Sequence, residues 1–498
     1  MEAFSIEATV AKGQDHMNEL FNYVQSHAKA DESYPIEKHI LTILMKIGLS
    51  AMECYFATKG TGDVGADLQL KNGTTLKRQS GFCNKTYFSI FGKIKIPRTS
   101  YWKKDEEMIM PLDAQANIPK NSYSYLLQDW MNHLCIKNSF KESSESLEKL
   151  LGLKIYANRI EDICQNSCMS YDQFYSVKEQ PNQESEGDIH VLGFDGIGVP
   201  MIKKEVAKFN GRLGKGEKRQ KKKEAMVGVN YTIDPKQRKP EEVAQKLVYP
   251  EEIKVKTKKT DIQAKNIRRI ASIERSRREV ITELVEDAKQ RDTEHKKPWI
   301  IVMDGALNLW DIIISVLKGI DYVGVLDIIH VIEYLWKVAN ILHGEKTIKG
   351  RNCVHSYLLK ILQGNVDFVI NELKQMLKNQ KLKKNQKETI KKAVTYFENH
   401  KEWMKYDYYL EMGYPIGSGV VESSCGHTVK DRMEGTGRRW SIEGAEAILL
   451  LRSVYTSKDW ETYWEFHMML ERSFNYHDSL VSLGIADDYY DLGIKYAA

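Results

Sequence analysis

Two stretches rich in β-branched apolar residues, IHVLGFDGIGVPMI at 189–202 and PWIIVMDGA at 298–306, each enclose a single aspartate followed at once by glycine. Short runs of this kind read as strands buried on both faces, which belong to sheets covered by helices. A carboxylate inside such a strand, Asp195 in one and Asp304 in the other, is costly unless it is paired or bound to a cation, and a cation favours the ionised form. The glycine after each is expected to keep its surroundings open to a substrate backbone. Each aspartate taken singly also fits a strand-end residue that caps the next turn. Two in matched settings put a metal site on level terms with that reading.

The segments around these strands continue the pattern. AMVGVNYTI, 225–233, is a second strand that a basic loop joins to the first, and a charged, mostly helical stretch follows through Gln290. After PWIIVMDGA come a helix from Leu307 to Leu317, a strand DYVGVLD and a helix from Ile328 to His343. This alternation predicts an α/β layer with a mostly parallel inner sheet. Residues 345 to about 410 carry Lys-rich helical faces without a strand signal, which reads as an insertion. In YPIGSGVVES the glycines end an extended segment and open a helix, placing Glu422 in its first turn, with Gly426 one turn and Lys430 two turns further along one face. A carboxylate there reaches outward to a metal, or simply complements the helix dipole.

At 498 residues, 42% apolar, the chain is too long for one typical domain. Residues 1–60 read as helical, 61–105 as a small antiparallel β-unit around the turn dipeptide NG, and 106–180 as helical again. In that last region SESLEKLLGLKIYANRIEDICQNSC forms two helices about Gly152, either a helix-turn-helix or two helices of a bundle. SVKEQPNQESEGD, 176–188, has the composition of a linker. The catalytic candidate then occupies 186–344 and 413–475 around the insertion 345–412, and 476–498 is an acidic tail.

The net charge of +5 says little, but its distribution says more. Residues 203–223 hold ten Lys or Arg against two acids, and 254–278 the same, so the remainder of the chain is acidic. The run GKGEKRQKKK, with Lys215, Lys218, Arg219, Lys221, Lys222 and Lys223, reads as a mobile loop tracking a DNA backbone, or as solvated surface. Seven cysteines without regular spacing describe no disulfide framework; Cys164 and Cys168 lack a matching second pair for zinc. The opening MEAFSIEATVAKGQDHM has no apolar secretion segment, and no uncharged apolar run of membrane length is evident, so a soluble, cytoplasmic protein with no membrane partner is expected.

Several chemistries are disfavoured by spacing. GRLGKGEK lacks the arrangement of a phosphate-binding loop, and HGEK at 343–346 lacks the second histidine of a zincin. A phosphatase using Asp195 as nucleophile would need a second aspartate two residues on, where Ile197 stands.

The segment GSGVVESSCGHTVKDRMEGTGRRWSIEGAEAILLLRSVYTSKDWETYWEFH resembles the C-terminal signature of bacterial insertion-sequence transposases of the Kra group. LGFDGIGVP, IVMDGALNLW, LDIIHVIEYLWKVA and FGKIKIPRTSYW resemble further motifs of that family in the same order. The resemblance implies an RNase H-like catalytic core, a mixed sheet flanked by helices with an all-helical insertion, preceded by a mainly helical N-terminal region. It implies a DDE triad at Asp195, Asp304 and Glu422 holding two Mg²⁺ ions, with Mn²⁺ substituting, and cleavage and strand transfer of DNA. Asp327 and His330 form a D-x-x-H similar to a signature near the active site of several transposase groups; His330 is expected to position DNA or to cap the helix, and is not expected to ligate metal. His427, Lys430, Arg432, Arg438 and Arg439 are candidates for phosphate contacts, and Trp440 for stacking on a frayed base or for a place in the core. The partners implied are double-stranded DNA, as terminal inverted repeats and target, and further copies of the chain in a dimer or higher multimer. The setting implied is the nucleoid of a bacterium. A catalytically silent DNA-binding relative is the alternative.

Overall fold

The computed structural model describes residues 5–29, 32–209, 220–252, 263–435 and 437–487. Its contacts divide the chain into two units, Met1–Val177 with Asp459–Ala498, and Lys178–Lys458.

The first unit opens with two long helices, Ile6–His27 and Ser33–Lys59, packed as a hairpin. The Ser5 hydroxyl starts the first by accepting from the Ala8 N–H at 3.3 Å. By length and composition Ser33–Lys59 is apolar enough to cross a membrane, which the sequence reading did not foresee. Its Lys46 pairs with Glu19 of the neighbouring helix at 3.2 Å. The expected β-unit follows as two small sheets. Strands β1 (Asp67–Gln69), β2 (Thr75–Arg78) and β5 (Tyr101–Trp102) form one, and β3 (Cys83–Ser89) and β4 (Gly92–Arg98) the other, all antiparallel. Phe56 of the second helix, Tyr87 and Ile94 of the hairpin, and Leu112 beyond it share a core.

Helices Tyr125–Lys137, Phe140–Leu151 and Ala157–Cys168 pack on one another. Ser139 and Glu142 make a reciprocal capping box at the start of the second, and Gly152, at φ 67°, ends it. The helix Trp460–Ser482 belongs to this unit, so the catalytic candidate ends at 458 and not at 475. Tyr476 and Leu480, assigned from sequence to the tail, are buried with Ala114 because they complete that helix's apolar face. Residues 488–498 lie outside the described residues.

The second unit is built on a five-stranded sheet. Its strands are β6 (Ile189–Pro200), β7 (Lys222–Ile233), β8 (Lys265–Ser272), β9 (Trp299–Met303) and β10 (Val323–Leu326), in the order β10-β9-β6-β7-β8. β6, β7 and β8 are antiparallel neighbours, while β9 and β10 run parallel to β6. Two pairings are parallel and two antiparallel, with β7 alone running against the other four strands, so the sheet is mixed where the alternation suggested mostly parallel pairing. The difference lies in β8, inside the stretch read as mostly helical. Its arginines hid it: Arg268 is buried against Asp287 at 2.9 Å, and Arg269 reaches across to the Thr456 carbonyl at 2.5 Å. Lys222 and Lys223 are also displaced from expectation. They pair with Pro200 and Val199 as the first residues of β7, so the basic run ends in a strand and not a loop. Lys215, Lys218 and Arg219 lie outside the described residues.

The helix Arg277–Arg291, opened by a Ser276/Glu279 capping box, covers one face of the sheet. Ile442–Ser457 packs on β8. Between Ile328–His343 and the Glu422 segment the chain is helical, with Ile348–Leu362, Val366–Leu377, Lys384–His400 and Tyr406–Glu411.

Candidate active site

The sheet register gathers three aspartates. Phe194 of β6 pairs with Met303 of β9, and Met303 with Leu326 of β10, so the three residues share one rung. Asp195, Asp304 and Asp327 are each the residue after that rung, on three adjacent strands running the same way. Neighbouring strands lie about 4.8 Å apart, so the register alone concentrates negative charge there. Asp327 closes the edge: its N–H donates to the Met303 carbonyl at 2.8 Å, and its carboxylate caps the next helix by accepting from the Ile329 N–H at 2.9 Å.

Glu422 comes from the short helix Gly419–Ser424, laid against β6. A Cβ on Gly193 would stand 2.2 Å from Val421 Cγ2, so the helix reaches its place only because that position carries no side chain. The segment is held from three sides. The Ser418 hydroxyl donates to the Asp327 carboxylate, the Ile328 N–H donates to the Ile416 carbonyl at 2.9 Å, and Arg269 Nε donates to Ser424 Oγ at 2.9 Å. The Cys425 thiol donates to Asp195 Oδ2 at 3.4 Å and ties the following turn to β6.

That turn, Cys425–Lys430, winds as a π-helix. It departs there from the 3.6-residue repeat on which the placement of Lys430 rested. The glycines after the two strand aspartates also differ from expectation. A Cβ on Gly196 would meet Glu224 Oε1 at 2.4 Å, and one on Gly305 would meet the Tyr396 ring at 2.4 Å, so both make room for protein side chains and not for a substrate.

Among the described residues, Asp327, His330 and Glu422 have ligand atoms that all lie within 4.8 Å of one another. Asp195 and Asp304 stand beside this group. Burial pushes the Asp195 carboxyl above its usual range, and the charge of Asp304 adds to it, while the Gly196 N–H and the Cys425 thiol oppose. Glu422 is likewise raised, by burial first and then by Asp327, with His330 opposing. Carboxylates destabilised by confinement and by each other are groups that a divalent cation compensates. Oxygen donors suit Mg²⁺ or Mn²⁺, and the imidazole of His330, half-buried one turn into its helix, tilts the set toward Mn²⁺. The donor set fits a metal centre.

The helix Lys384–His400 supplies two residues that sequence reasoning missed. His400 Nε2 lies 3.0 Å from the Gly305 carbonyl, and the Tyr396 ring fills the space over Gly305 while stacking on Tyr334 at 4.0 Å. Both brace the loop carrying Asp304, whose own carboxylate accepts from the Ala306 N–H at 3.0 Å. No local signal marked them, because they sit in a helix of ordinary amphipathic pattern. Cys425 and Ser418 lay within a quoted motif and were passed over for lack of a charge.

The basic candidates divide. His427 is exposed and pairs with Asp431 at 3.1 Å; Lys430 and Arg439 are exposed; Arg438 donates to the Arg432 carbonyl at 2.8 Å. Lys221 is exposed, and Lys222 pairs with Glu434 at 2.7 Å. Arg432 is corrected: it is buried, with its guanidinium 4.5 Å over the Trp440 ring, so it does not face phosphate. Trp440 is core, its indole N–H donating to the Met433 carbonyl at 3.1 Å, which removes it as a stacking platform.

No family model matches the chain, and no curated protein matches it in sequence. Among solved structures it is similar to a chain of the Drosophila P element transposase strand transfer complex, at 8% identity over 70% of this chain and 82% of that one, with a TM-score of 0.26. A likeness this remote does not fix the fold.

Proposed function

We propose that the chain is a DNA transposase whose acidic cluster cleaves and rejoins phosphodiester bonds with the help of divalent metal. The observation that carries the reading is the convergence of Asp195, Asp304 and Asp327 one position past a shared rung of the sheet, with Glu422 brought over them by a helix that Gly193 admits. The motif resemblance assigns Asp195, Asp304 and Glu422 as the triad. The mixed sheet flanked by helices agrees with the RNase H-like core that this resemblance implies.

In this reading Asp195, Asp304 and Glu422 hold the metal, and Asp327 and His330 complete or orient the set. Bound there, two Mg²⁺ ions would supply a lowered pKa for an attacking water or 3′-hydroxyl and a counter-charge for the leaving oxygen. The protein's share is positional. Asp327, fixed by Ser418 and by its own helix, holds the edge; Cys425 holds the Asp195 carboxylate; Tyr396 and His400 hold the Asp304 loop. Lys430 and Arg439 are exposed and, in this reading, carry charge for DNA phosphates. Two successive displacements at phosphorus, hydrolysis at an element end and attack by the freed 3′-hydroxyl on target DNA, use the same cluster without a covalent protein intermediate.

The test is nicking of DNA bearing the inverted repeats that flank the gene. Wild-type protein is expected to nick in Mg²⁺ and in Mn²⁺. Asp195→Asn, Asp304→Asn and Glu422→Gln are each expected to lose cleavage by more than about 10³-fold while still binding the repeats. Normal cleavage by any one of them sinks the triad, and binding without cleavage by the wild type supports the silent relative instead.

A further inference from the structure

Residues 378–392, within the helical insertion, hold seven lysines against one acid, Glu388, a local excess larger than the +5 net charge of the whole chain. They occupy the turn after Val366–Leu377 and the start of Lys384–His400. Six of the seven are exposed, Lys387 alone being half-buried. Lys374, just before them, is neutralised by Glu398 at 2.6 Å. Among the described residues, none of the six exposed lysines meets a carboxylate. Ile390, Ala393, Val394 and Phe397 form the buried line of the helix. At about 100° per residue, Lys384, Lys391 and Lys392 lie on the side turned away from it. Like charges gathered this densely repel one another until a polyanion meets them.

The stretch also has a fixed place. Lys384–His400 packs antiparallel to Ile328–His343: the Tyr396 ring stacks on Tyr334 at 4.0 Å, and Gln386 Nε2 donates to the Ile341 carbonyl at 2.9 Å further out. The pair forms an arm rooted at the acidic cluster, because Asp327 caps one helix and His400 of the other lies 3.0 Å from the Gly305 carbonyl. Ile328–His343 has 16 residues, which at 1.5 Å each make an arm of about 24 Å. DNA rises 3.4 Å per base pair, so the arm reaches along about seven.

We infer that this arm is a backbone-binding surface for duplex DNA, its lysines gripping phosphates about seven base pairs from the bond that the acidic cluster attacks. Lysines without carboxylate partners release condensed counterions when they meet phosphates, whatever the sequence. Residues 378–392 include no aromatic side chain on which the bases of a single strand could stack, and no exposed large apolar one to enter a bilayer. Where along the DNA the arm sits rests on the reading of the cluster as the cleavage site; that it binds duplex does not.

The full chain, in EDTA, is titrated by fluorescence anisotropy with a duplex of about 30 base pairs over a range of KCl concentrations. Lys384→Gln, Lys391→Gln and Lys392→Gln together are expected to weaken binding at least tenfold and to make the slope of log affinity against log salt shallower by about 3, with an unchanged melting curve. The same three positions changed to arginine should bind as the wild type does. Should the glutamine protein not fold, Lys384→Gln alone is expected to take about 1 from the slope. On a duplex carrying a flanking repeat, the hydroxyl-radical protection lost by the glutamine protein should lie about seven base pairs from the nick. An unchanged slope and footprint overturn the arm even if the wild type nicks. A shallower slope in a protein whose wild type never nicks keeps the arm and sinks the cleavage reading. Preference of these lysines for single-stranded DNA, for RNA or for phosphatidylserine vesicles over the duplex overturns the arm equally.

Discussion

Gly193 shows how one residue sets the geometry of a site it does not touch chemically. Its missing side chain is what allows Val421 to lie against β6, and Val421 precedes Glu422. Gly193→Ala forces that helix outward or overpacks the sheet at a cost of about 1–3 kcal/mol. DNA cleavage is expected to fall at least tenfold while the sheet stays folded, read as turnover against far-ultraviolet circular dichroism; an alanine variant with full activity would show that the helix is not set there. His190, five residues before Asp195 on β6, makes a different prediction. It is enclosed beneath the sheet, bonded to Asn230, which in turn donates to Asp287 at 2.6 Å. Burial, with the charge of Arg291 adding, holds its pKa down at about 4 against an ordinary value near 6.5. The proton therefore prefers the unfolded chain. The stability that neutral His190 contributes is complete above pH 6.5 and is lost as pH falls from 6.5 toward 4, by about 3 kcal/mol. Melting temperatures across that window should drop more for wild type than for His190→Gln; parallel curves would refute the assignment.

At the scale of elements, legibility followed periodicity and failed where charge or distance intervened. β6, β9 and β10 announced themselves as apolar β-branched runs, and the glycines before Glu422 placed its helix. β8 went unseen because Lys265, Arg268 and Arg269 gave it the composition of a solvated helix, although the folded sheet pairs these arginines with groups far away in sequence. The π-helical turn after Glu422 is likewise invisible to a count that assumes 3.6 residues per turn. Asp195 and Asp304 were legible as carboxylates inside buried strands and the proposed triad through matched motifs, whereas the bracing by Lys384–His400 depends on tertiary packing. That bracing is testable. The Tyr396 hydroxyl is buried and makes no hydrogen bond among the described residues, so the ring and not the hydroxyl is what supports Gly305. Tyr396→Phe is expected to keep cleavage within about twofold and to equal or exceed wild-type stability, since an unsatisfied buried group is removed. Tyr396→Ala frees the Asp304 loop and should lower turnover by about 10–100-fold with little change in DNA affinity. Loss of cleavage in the phenylalanine variant would instead give the hydroxyl a role on the substrate.

The whole molecule is assembled from segments out of chain order, and that makes the first unit dependent on the last helix. Trp460 Nε1 donates to Asp129 at 2.8 Å, the Tyr125 hydroxyl donates to Glu471 at 3.0 Å, and Ser170 bonds His467 at 2.8 Å. Tyr463 and Tyr476 donate to the carbonyls of Ser167 and Ile118. These groups come from both ends of the sequence, and the side chains around them, Phe174, Tyr463 and Phe466 among them, are buried together. Removing the helix exposes an aromatic core and leaves several buried polar groups of the N-terminal helices without partners, each at about 1–3 kcal/mol against a net domain stability of only about 5–15 kcal/mol. The second unit closes at Lys458 and keeps its sheet, its buried network and its acidic cluster within Lys178–Lys458. Ending the chain after Lys458 is therefore expected to abolish the cooperative melting of the N-terminal unit while that of the sheet-bearing unit persists, as followed by calorimetry and by proteolysis at sites before residue 177. If the truncated chain kept both transitions, the terminal helix would be an accessory and not the keystone of the first core.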